Sequence, residues 1–314
     1  MFRKLFISSA VSVILAGISP VSSAAASNGD PIGSGKNTCV PGPSAKCNDV
    51  VHKWKFEHHG DLRGANFSKA KLHGANFHGA RLNKANFRGA VLRHANFHEA
   101  SLVGANFSKA TRAKKLDESG GQQAPPNCIP NCGGADLSGA NFSSANLTSA
   151  NLTKANLSGA NFSGANLSRT NLRGANLSGA NFSGANLIFA DLTFADLTFA
   201  NLTSANLTSA NLTSANLTHA NLTSANLTYA NLMTSANLTF ANLTSANLTY
   251  ADLTNANLTS ARLVSANFSS ASLENANLFS ADLTGANLTY ADLARADLTN
   301  ANLSGANLIG AIMP

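Results

Sequence analysis

The feature that most constrains this chain is a five-residue period that runs through most of it. In each unit a Leu or Phe, here called the centre, usually follows Asn or Asp, and Ala lies one residue earlier in nearly every unit. The departures from Asn or Asp are Lys71, Arg81, Val91, Ser101, Arg262 and Ser272. Ten units have centres from Leu62 to Phe107, and 35 more have centres from Leu137 to Leu308. A fixed period of this kind predicts an array that grows along one axis, so chain length does not indicate the number of domains.

A period of five fits neither an α-helix nor one long strand, but it fits a parallel solenoid in which each short segment pairs with the segment one coil above. Coils would then be spaced by ~4.8 Å, the usual distance between strands. Rare large centres are spaced by 20, as in Phe142, Phe162 and Phe182. This spacing favours four units per coil with Phe stacked on Phe inside, although duplication of a gene segment gives the same spacing.

The units, for example ANLTS and ANFSG, resemble the A(D/N)LXX motif of the pentapeptide-repeat family over about 225 of 314 residues. The resemblance implies an all-β solenoid, namely a right-handed quadrilateral parallel β-helix with four pentapeptides per coil. It also implies that centre and Ala side chains point inward and that the other three positions point outward. A continuous rod would be on the order of 50–55 Å long.

The N-terminus has the pattern of a secretory signal peptide. Arg3 and Lys4 precede a mostly apolar stretch from Leu5 to Ile18, and three small residues end at Ala26. The protein is therefore expected to be exported to the periplasm or the extracellular space. An uncleaved anchor is the alternative, but the apolar stretch is shorter than the ~20 residues of a spanning helix.

Five segments follow from these patterns. They are a signal peptide at 1–26, a cap or linker at 27–60 that contains Trp54, a first repeat block at 61–110, an interruption at 111–134 and a second repeat block at 135–314. The interruption contains Gly-Gly and Pro-Pro pairs, and it is either a loop extruded from one rod or a hinge between two.

Four cysteines lie outside the regular repeats, and an even number in an exported chain predicts disulfides. The simplest of three pairings joins Cys39 to Cys47 and Cys128 to Cys132. A zinc site is the alternative, but the spacings match zinc motifs poorly. No cofactor and no metal ligand set is predicted. His58, His78 and His98, spaced by 20, are interpreted as part of a solvated basic face.

The charge is concentrated at one end of the chain. Residues 51–115 contain 13 basic and three acidic side chains, whereas residues 135–314 contain five basic and eight acidic ones. An anionic partner, such as an envelope polysaccharide or a nucleic acid, would meet the first block, although a solvated face has the same composition. The basic candidates are Arg63, Lys69, Lys71, Arg81, Lys84, Arg88 and Arg93.

Outward aromatic residues fall into columns when one extra residue near Met233 is allowed for. One predicted column holds Phe189, Tyr229, Tyr250 and Tyr290, and Phe199, His219 and Phe240 lie on the opposite face. Exposed aromatics in line suggest a contact surface, and partial cover of the coil below is the alternative. The recurring triplet Asn-Leu-Thr raises a further hypothesis, in which a hydroxyl lattice binds ice or a crystal surface.

The stretch YANLMTSANL breaks the period once, because Leu232 is followed by Leu238 rather than by a centre at 237. We interpret the extra residue as a bulge at a corner of one coil. The last residues place Leu303, Leu308, Ile312 and Met313 on a final coil, where uncovered edges favour end-to-end dimerisation. At the other end, residues 37–60 are predicted to cap the first coil.

Nothing in the sequence supports catalysis, because no nucleophile, base and orienting group come together and no Gly-rich phosphate loop is present. We therefore predict a non-enzymatic scaffold, structural or protein-binding, with an unknown protein or an anionic envelope polymer as partner and no small-molecule substrate. Some members of the family protect DNA gyrase by mimicking the shape and negative charge of DNA. This chain departs from them in charge and in its predicted export.

Overall fold

The computed structural model describes residues 32–34, 37–40, 42–48, 51–52, 61–72, 75–92, 95–97, 100–108, 110 and 132–314. The predicted signal peptide, Trp54, Arg93, Cys128 and nearly all of the interruption lie outside these residues. Most of the chain forms a parallel β-helix in which short segments pair with segments 20 positions away, as in Asn181 with Asn201 and Asn201 with Asn221.

Named strands occur near the start of the described chain. Strand β1 (Ile32–Ser34) pairs antiparallel with β2 (Asn37–Cys39), and β3 (Val51–His52) pairs parallel with β4 (Lys71–Leu72). Elsewhere each face contributes one bridge residue per coil, the residue before the centre, which is Asn or Asp in most units. The coils begin earlier than the sequence predicts, because Lys46 pairs with Asn66 and Val51 pairs with Lys71.

Each coil has four faces, which we name A to D in chain order. Leu137 is the centre of face A, Phe142 of face B, Leu147 of face C and Leu152 of face D. The residues of a face recur every 20 positions, or every 21 across the extra residue near Met233. A corner is named after the two faces that it joins.

Backbone hydrogen bonds hold each unit in place in two directions. Leu197 N–H donates to Asn216 O at 2.7 Å, and Asn216 N–H donates to Ala195 O at 2.9 Å, so both join neighbouring coils. Within the unit, Ala200 N–H donates to Leu197 O at 2.9 Å and closes a turn. The third residue of these turns has a positive φ, 57° at Phe199, which explains why Gly, Ser and Asn are common there.

The interior is a continuous core of centre and Ala side chains. From Leu62 to Leu293 the described centres are at most 6% exposed, and Ala fits the tight approach to each corner. The predicted Phe ladder is present on face B, where Phe107, Phe142, Phe162 and Phe182 stack with ring centroids 4.7 to 5.0 Å apart. Among the described residues, the buried polar side chains are Thr170 and Thr193.

The two repeat blocks form one continuous rod. Ser101 pairs with Asp136 and Asn106 pairs with Asn141, 35 positions apart, and Phe107 stacks on Phe142 at 5.0 Å. Because regular coils repeat every 20 positions, the interruption lengthens one coil without breaking the stack. The described coils on the two sides of the interruption therefore stack directly on each other.

Candidate functional site

The outer surface is where the described chain offers chemistry, since Leu, Phe and Ala fill the axis. In the described part of the chain no group of three or more His, Cys, Asp or Glu side chains is arranged to hold a metal ion. The same part of the chain has no helix that is long and apolar enough to cross a membrane.

Two opposite corners carry stacked aromatic side chains. At the corner between faces A and B, the rings of Phe199 and His219 are 4.8 Å apart and those of His219 and Phe240 are 5.0 Å apart, all nearly parallel. We call these three residues the A/B ridge. At the corner between faces C and D, Tyr229 and Tyr250 stack at 5.0 Å.

The predicted column of Phe189, Tyr229, Tyr250 and Tyr290 lies along the corner between faces C and D, and we call it the C/D ridge. Its members are 52 to 67% exposed, so each keeps about half or more of its surface open to a partner, and the Tyr290 ring also covers Gly310 of the next coil. Serines separate Phe189 and Tyr290 from the central Tyr pair, which makes the pair the continuous part of this ridge.

Phe194 belongs to the same surface and was missed by the sequence analysis. It is 56% exposed at the corner between faces D and A, so Phe189, Phe194 and Phe199 occupy three successive corners of one stretch of coil. The guanidinium of Arg173 lies 5.1 Å from the Phe194 ring centroid, and that of Arg169 lies 5.8 Å from the Phe189 ring centroid. Recurrence of Phe at every fifth position was the signal that could have revealed it.

The basic side chains of Lys46 and of the first block point in different directions. Lys46, Lys69, Lys84 and Arg88 are exposed on face B or on its two corners, and Arg81 and Lys71 are exposed on faces A and C. Arg63 forms an ion pair with Asp61, with Arg63 Nη2 and Asp61 Oδ2 2.6 Å apart. This hydrogen-bonded pair lowers the pKa of Asp61 to about 2. Arg93 lies outside the described residues.

The cysteines differ in their environments. Cys39 and Cys47 form a disulfide that ties β2 to the first coil. Cys132, in contrast, is a free thiol buried at the centre position of face D, one coil below Leu152. The predicted bond from Cys132 to Cys128 is therefore absent, because Cys132 faces the core in place of a Leu or Phe. Burial raises the pKa of the Cys132 thiol.

The Asn-Leu-Thr triplets use much of their hydrogen-bonding capacity within the protein. The Thr218 hydroxyl donates to Asn216 Oδ1 at 2.6 Å, and Asn216 Nδ2 donates to Thr198 Oγ1 at 2.9 Å. The same bonds recur on neighbouring units. The hypothesis of an outward hydroxyl lattice is weakened by this arrangement, since the hydroxyl protons are directed to Asn.

The final coil has the exposed edge that the sequence predicts. Leu303 and Leu308 are half-buried, whereas Ile312 and Met313 are 57% and 43% exposed. Of the three spaced histidines, His78 is described and half-buried, and His58 and His98 lie outside the described residues.

The geometry of four short parallel segments per coil, each with a buried Leu or Phe after Asn or Asp, agrees with a family comparison. The model for pentapeptide repeats matches residues 58–89, 70–108, 131–164, 165–203, 200–235, 236–275 and 276–313. The chain belongs to the pentapeptide-repeat family. The predicted right-handed quadrilateral β-helix is confirmed for this pentapeptide-repeat protein.

Solved structures of other family members are similar to this pentapeptide-repeat protein. HetL, involved in heterocyst differentiation regulation in the cyanobacterium Nostoc, is 32% identical over 79% of this chain and 89% of its own, with a TM-score of 0.42. A protein of the Arabidopsis thaliana thylakoid lumen is 40% identical over 32% of this chain and 66% of its own, with a TM-score of 0.26.

QnrB1, a plasmid-mediated fluoroquinolone resistance protein, is 20% identical over 81% of this chain and 91% of its own, with a TM-score of 0.27. This likeness concerns the fold alone. None of the curated proteins compared with the chain matches it.

Proposed function

We propose that this protein is a non-enzymatic protein-interaction scaffold that acts outside the cytoplasm, and that the two aromatic ridges form its contact surface. The observation that carries the proposal is the stacking of exposed rings at successive coils, in Phe199–His219–Phe240 and in Tyr229–Tyr250. Large exposed aromatics provide much of the binding energy at protein interfaces.

Stacking on a rigid solenoid supports this role because the rings are ordered before a partner arrives. Side chains that are already held in one conformation lose less entropy on binding. The A/B ridge and the Tyr229–Tyr250 pair also lie in an uncharged stretch, since residues 197–251 contain no Lys, Arg, Asp or Glu. A partner can therefore cover these stacked rings without removing a charge of that stretch from water, which is costly unless the charge is paired.

The ridges can be tested by proximity labelling in intact cells. Phe199→Ser with Phe240→Ser should remove a set of proteins that the wild type labels, and Tyr229→Ser with Tyr250→Ser should remove the same or a second set. Ser204→Ala with Ser224→Ala changes a corner without aromatics and serves as the matched control. Melting curves by circular dichroism check that each variant folds. An unchanged labelled set in both ridge variants contradicts the proposal.

The extracytoplasmic location rests on the N-terminal pattern of two basic residues, an apolar stretch and small residues ending at Ala26. Cell fractionation followed by mass spectrometry of the mature N-terminus tests it, and a start near Ser27 in the exported fraction is the expected result. Cytosolic protein that retains Met1 would contradict export.

The charge distribution opposes the alternative of topoisomerase protection by DNA mimicry, which requires a negative surface. The described residues of the first block include six exposed basic side chains, and their one acidic side chain is that of Asp61. Cytosolic location together with protection of gyrase in a supercoiling assay would favour that alternative over the scaffold.

A further inference from the structure

Four basic side chains, those of Lys46 and of three residues in the first block, share one side of the rod. Lys46 and Arg88 lie on face B, Lys84 lies on the corner between faces A and B, and Lys69 lies on the corner between faces B and C. All four are exposed, and we call them the face B patch. Lys46 joins the patch only because the coils begin before residue 61, so the sequence analysis did not include it.

The backbone of the next coil leaves room for the two corner lysines. Cγ of Lys69 lies 3.8 Å from the position that a Cβ would take at Gly89, and Cγ of Lys84 lies 3.8 Å from that position at Gly104. Both lysine stems therefore run along the rod over a glycine. Their ammonium groups therefore lie on the face B side of the rod, where one extended ligand can contact both.

Acidic side chains that could offset the patch are distant from it. Among the described residues of face B and its two corners, the first acidic side chain is Asp282, many coils away. Asp61 lies on face A and is paired with Arg63. Four positive charges within about three coils produce a local positive potential that favours an anionic ligand.

The rest of face B indicates which kind of anionic ligand fits. Between Gly139 and Phe199 both of its corners carry only Gly or Ser, so the surface there stays low and flat. Face B itself presents Ser143, Ser163 and Ser183, whose hydroxyls make no protein hydrogen bond within the described chain. The threonines of the later coils differ, since their hydroxyls donate to the preceding Asn. Free hydroxyls in line with the patch can bond to the hydroxyls of a sugar chain.

Single-stranded nucleic acid fits this surface less well. Proteins that bind it combine basic grooves with exposed aromatic rings on which bases stack. In the described first block every Phe is buried, from Phe67 to Phe107. The patch therefore offers ionic contacts without a stacking platform.

We propose that the face B patch binds an acidic polysaccharide, with carboxylate or sulfate groups on Lys46, Lys69, Lys84 and Arg88 and sugar hydroxyls along the serines above. The site is separate from the aromatic ridges and does not depend on the scaffold proposal. Ridge variants should therefore bind the polysaccharide normally, and patch variants should keep the partners of the ridges.

The test is binding of the full-length protein to alginate, a polyuronate, by isothermal titration calorimetry. Replacing all four patch residues by Gln should weaken binding by at least about tenfold, and wild-type binding should weaken as salt rises because counterions compete for the charges. The control replaces Lys71, Arg81, Lys154 and Arg173 by Gln. It removes the same charge from faces A, C and D and from the corner between faces D and A, and its affinity should stay within about threefold of wild type.

Further ligands separate this proposal from general attraction of anions. Uncharged dextran should not bind, and Ser143→Ala with Ser163→Ala and Ser183→Ala should weaken binding of alginate but not of inorganic polyphosphate. Equal losses in the patch and control variants would overturn the proposal. Tighter binding of a short DNA duplex than of alginate through the same four residues would also overturn it, and would assign the patch to nucleic acid.

Discussion

Asn before each centre is the residue that locks a unit to its neighbours. Asn216 Oδ1 accepts from the backbone N–H of Thr218 at 3.2 Å and from its hydroxyl at 2.6 Å, and Asn216 Nδ2 donates to Thr198 Oγ1 at 2.9 Å. Asp at the same position keeps the acceptor, as Asp196 does for Thr198, but has no side-chain donor. This explains why both residues occur there.

Replacing Asn216 should therefore show graded losses of stability. Asn216→Ala removes all three hydrogen bonds at a half-buried position. It should lower the free energy of unfolding by about 1–3 kcal/mol, because the polar groups of Thr198 and Thr218 lose their hydrogen-bond partner. Asn216→Asp keeps the acceptor and should cost less, and Ser224→Ala is the control. Urea unfolding followed by circular dichroism measures the free energy of unfolding of each variant. A loss for Asn216→Asp as large as that for Asn216→Ala would contradict the expectation.

Cys132 should be chemically silent in the folded protein. Burial raises its thiol pKa, and the thiolate is the reactive form, so an alkylating reagent should not modify it at neutral pH. The experiment uses Cys128→Ser to remove the other thiol, and modification is followed by mass spectrometry. Rapid labelling only in urea is expected. Labelling of the native variant, or a disulfide between Cys128 and Cys132 in the wild type, would show that Cys132 is not in the core.

At the scale of one element, the extra residue near Met233 is a bulge on a corner of face D. Thr234 and Ser235 both have positive φ, 54° and 67°, whereas regular turns have one such residue. The coils continue around it, because Asn231 pairs with Asp252 and Asn237 pairs with Asn257. A β-branched residue with positive φ is strained, so the bulge is a cost that the stack tolerates.

Deleting Thr234 should therefore leave stability unchanged or raise it, since the turn regains the regular length and loses a strained Thr. Deleting Ser224 instead removes a residue from a regular turn and should destabilise the protein strongly, because the centres beyond it fall out of register with the coil below. Thermal unfolding by circular dichroism compares the two deletions. A large loss on deleting Thr234 would indicate that the bulge has a structural role.

The continuity of the rod across the two blocks can be tested by shortening the interruption between them. Ser101 and Asp136 pair 35 positions apart, whereas regular coils repeat every 20 positions. Removal of residues 112–115 and 117–127 restores the regular spacing and leaves Leu116 at a centre position. The shortened protein should therefore keep the stack and melt at nearly the wild-type temperature, as measured by circular dichroism.

The matched control for this deletion removes residues 112–115 and 117–129. It removes two residues more than the first deletion, so the spacing from Ser101 to Asp136 falls to two residues fewer than the regular coil needs. Extra residues can bulge out of a coil, but a coil that is too short cannot keep the later centres over the coil below. We expect a clearly lower melting temperature for the control, and equal melting of the two proteins would argue against one continuous rod.

At the scale of the whole molecule, the backbone of each described coil pairs with the next coil along the rod. The last coil has an uncovered edge, which contains Leu303, Leu308, Ile312 and Met313. We expect the protein to dimerise end to end through this edge, because pairing satisfies the backbone and removes apolar surface from water. Ile312→Asp with Met313→Asp should shift a dimer to a monomer in sedimentation velocity, and Ile309→Asp, on the outside of the same coil, is the control. A monomeric wild type at micromolar concentration would contradict the expectation.

Much of this surface could be anticipated from spacing alone. The period places Tyr229 over Tyr250 and Phe199 beside His219 once the extra residue is allowed for, and the rings stack as expected. Spacing did not reveal that Arg63 is occupied by Asp61 or that Lys46 belongs to the first coil. Those facts depend on side-chain contacts and on where an irregular segment joins the stack.

The sequence by itself determined the family, the four-sided coil, the inward Leu, Phe and Ala, and the corner bulge, because a strict period leaves few ways to bury the apolar positions. Only the tertiary structure decided that the two blocks form one rod and that Cys132 lies in the core. It also decided that four basic residues share face B. The physical reason is that these features depend on how an interruption of irregular sequence is bridged, and register across such a segment is set by coil-to-coil pairing rather than by the local residues.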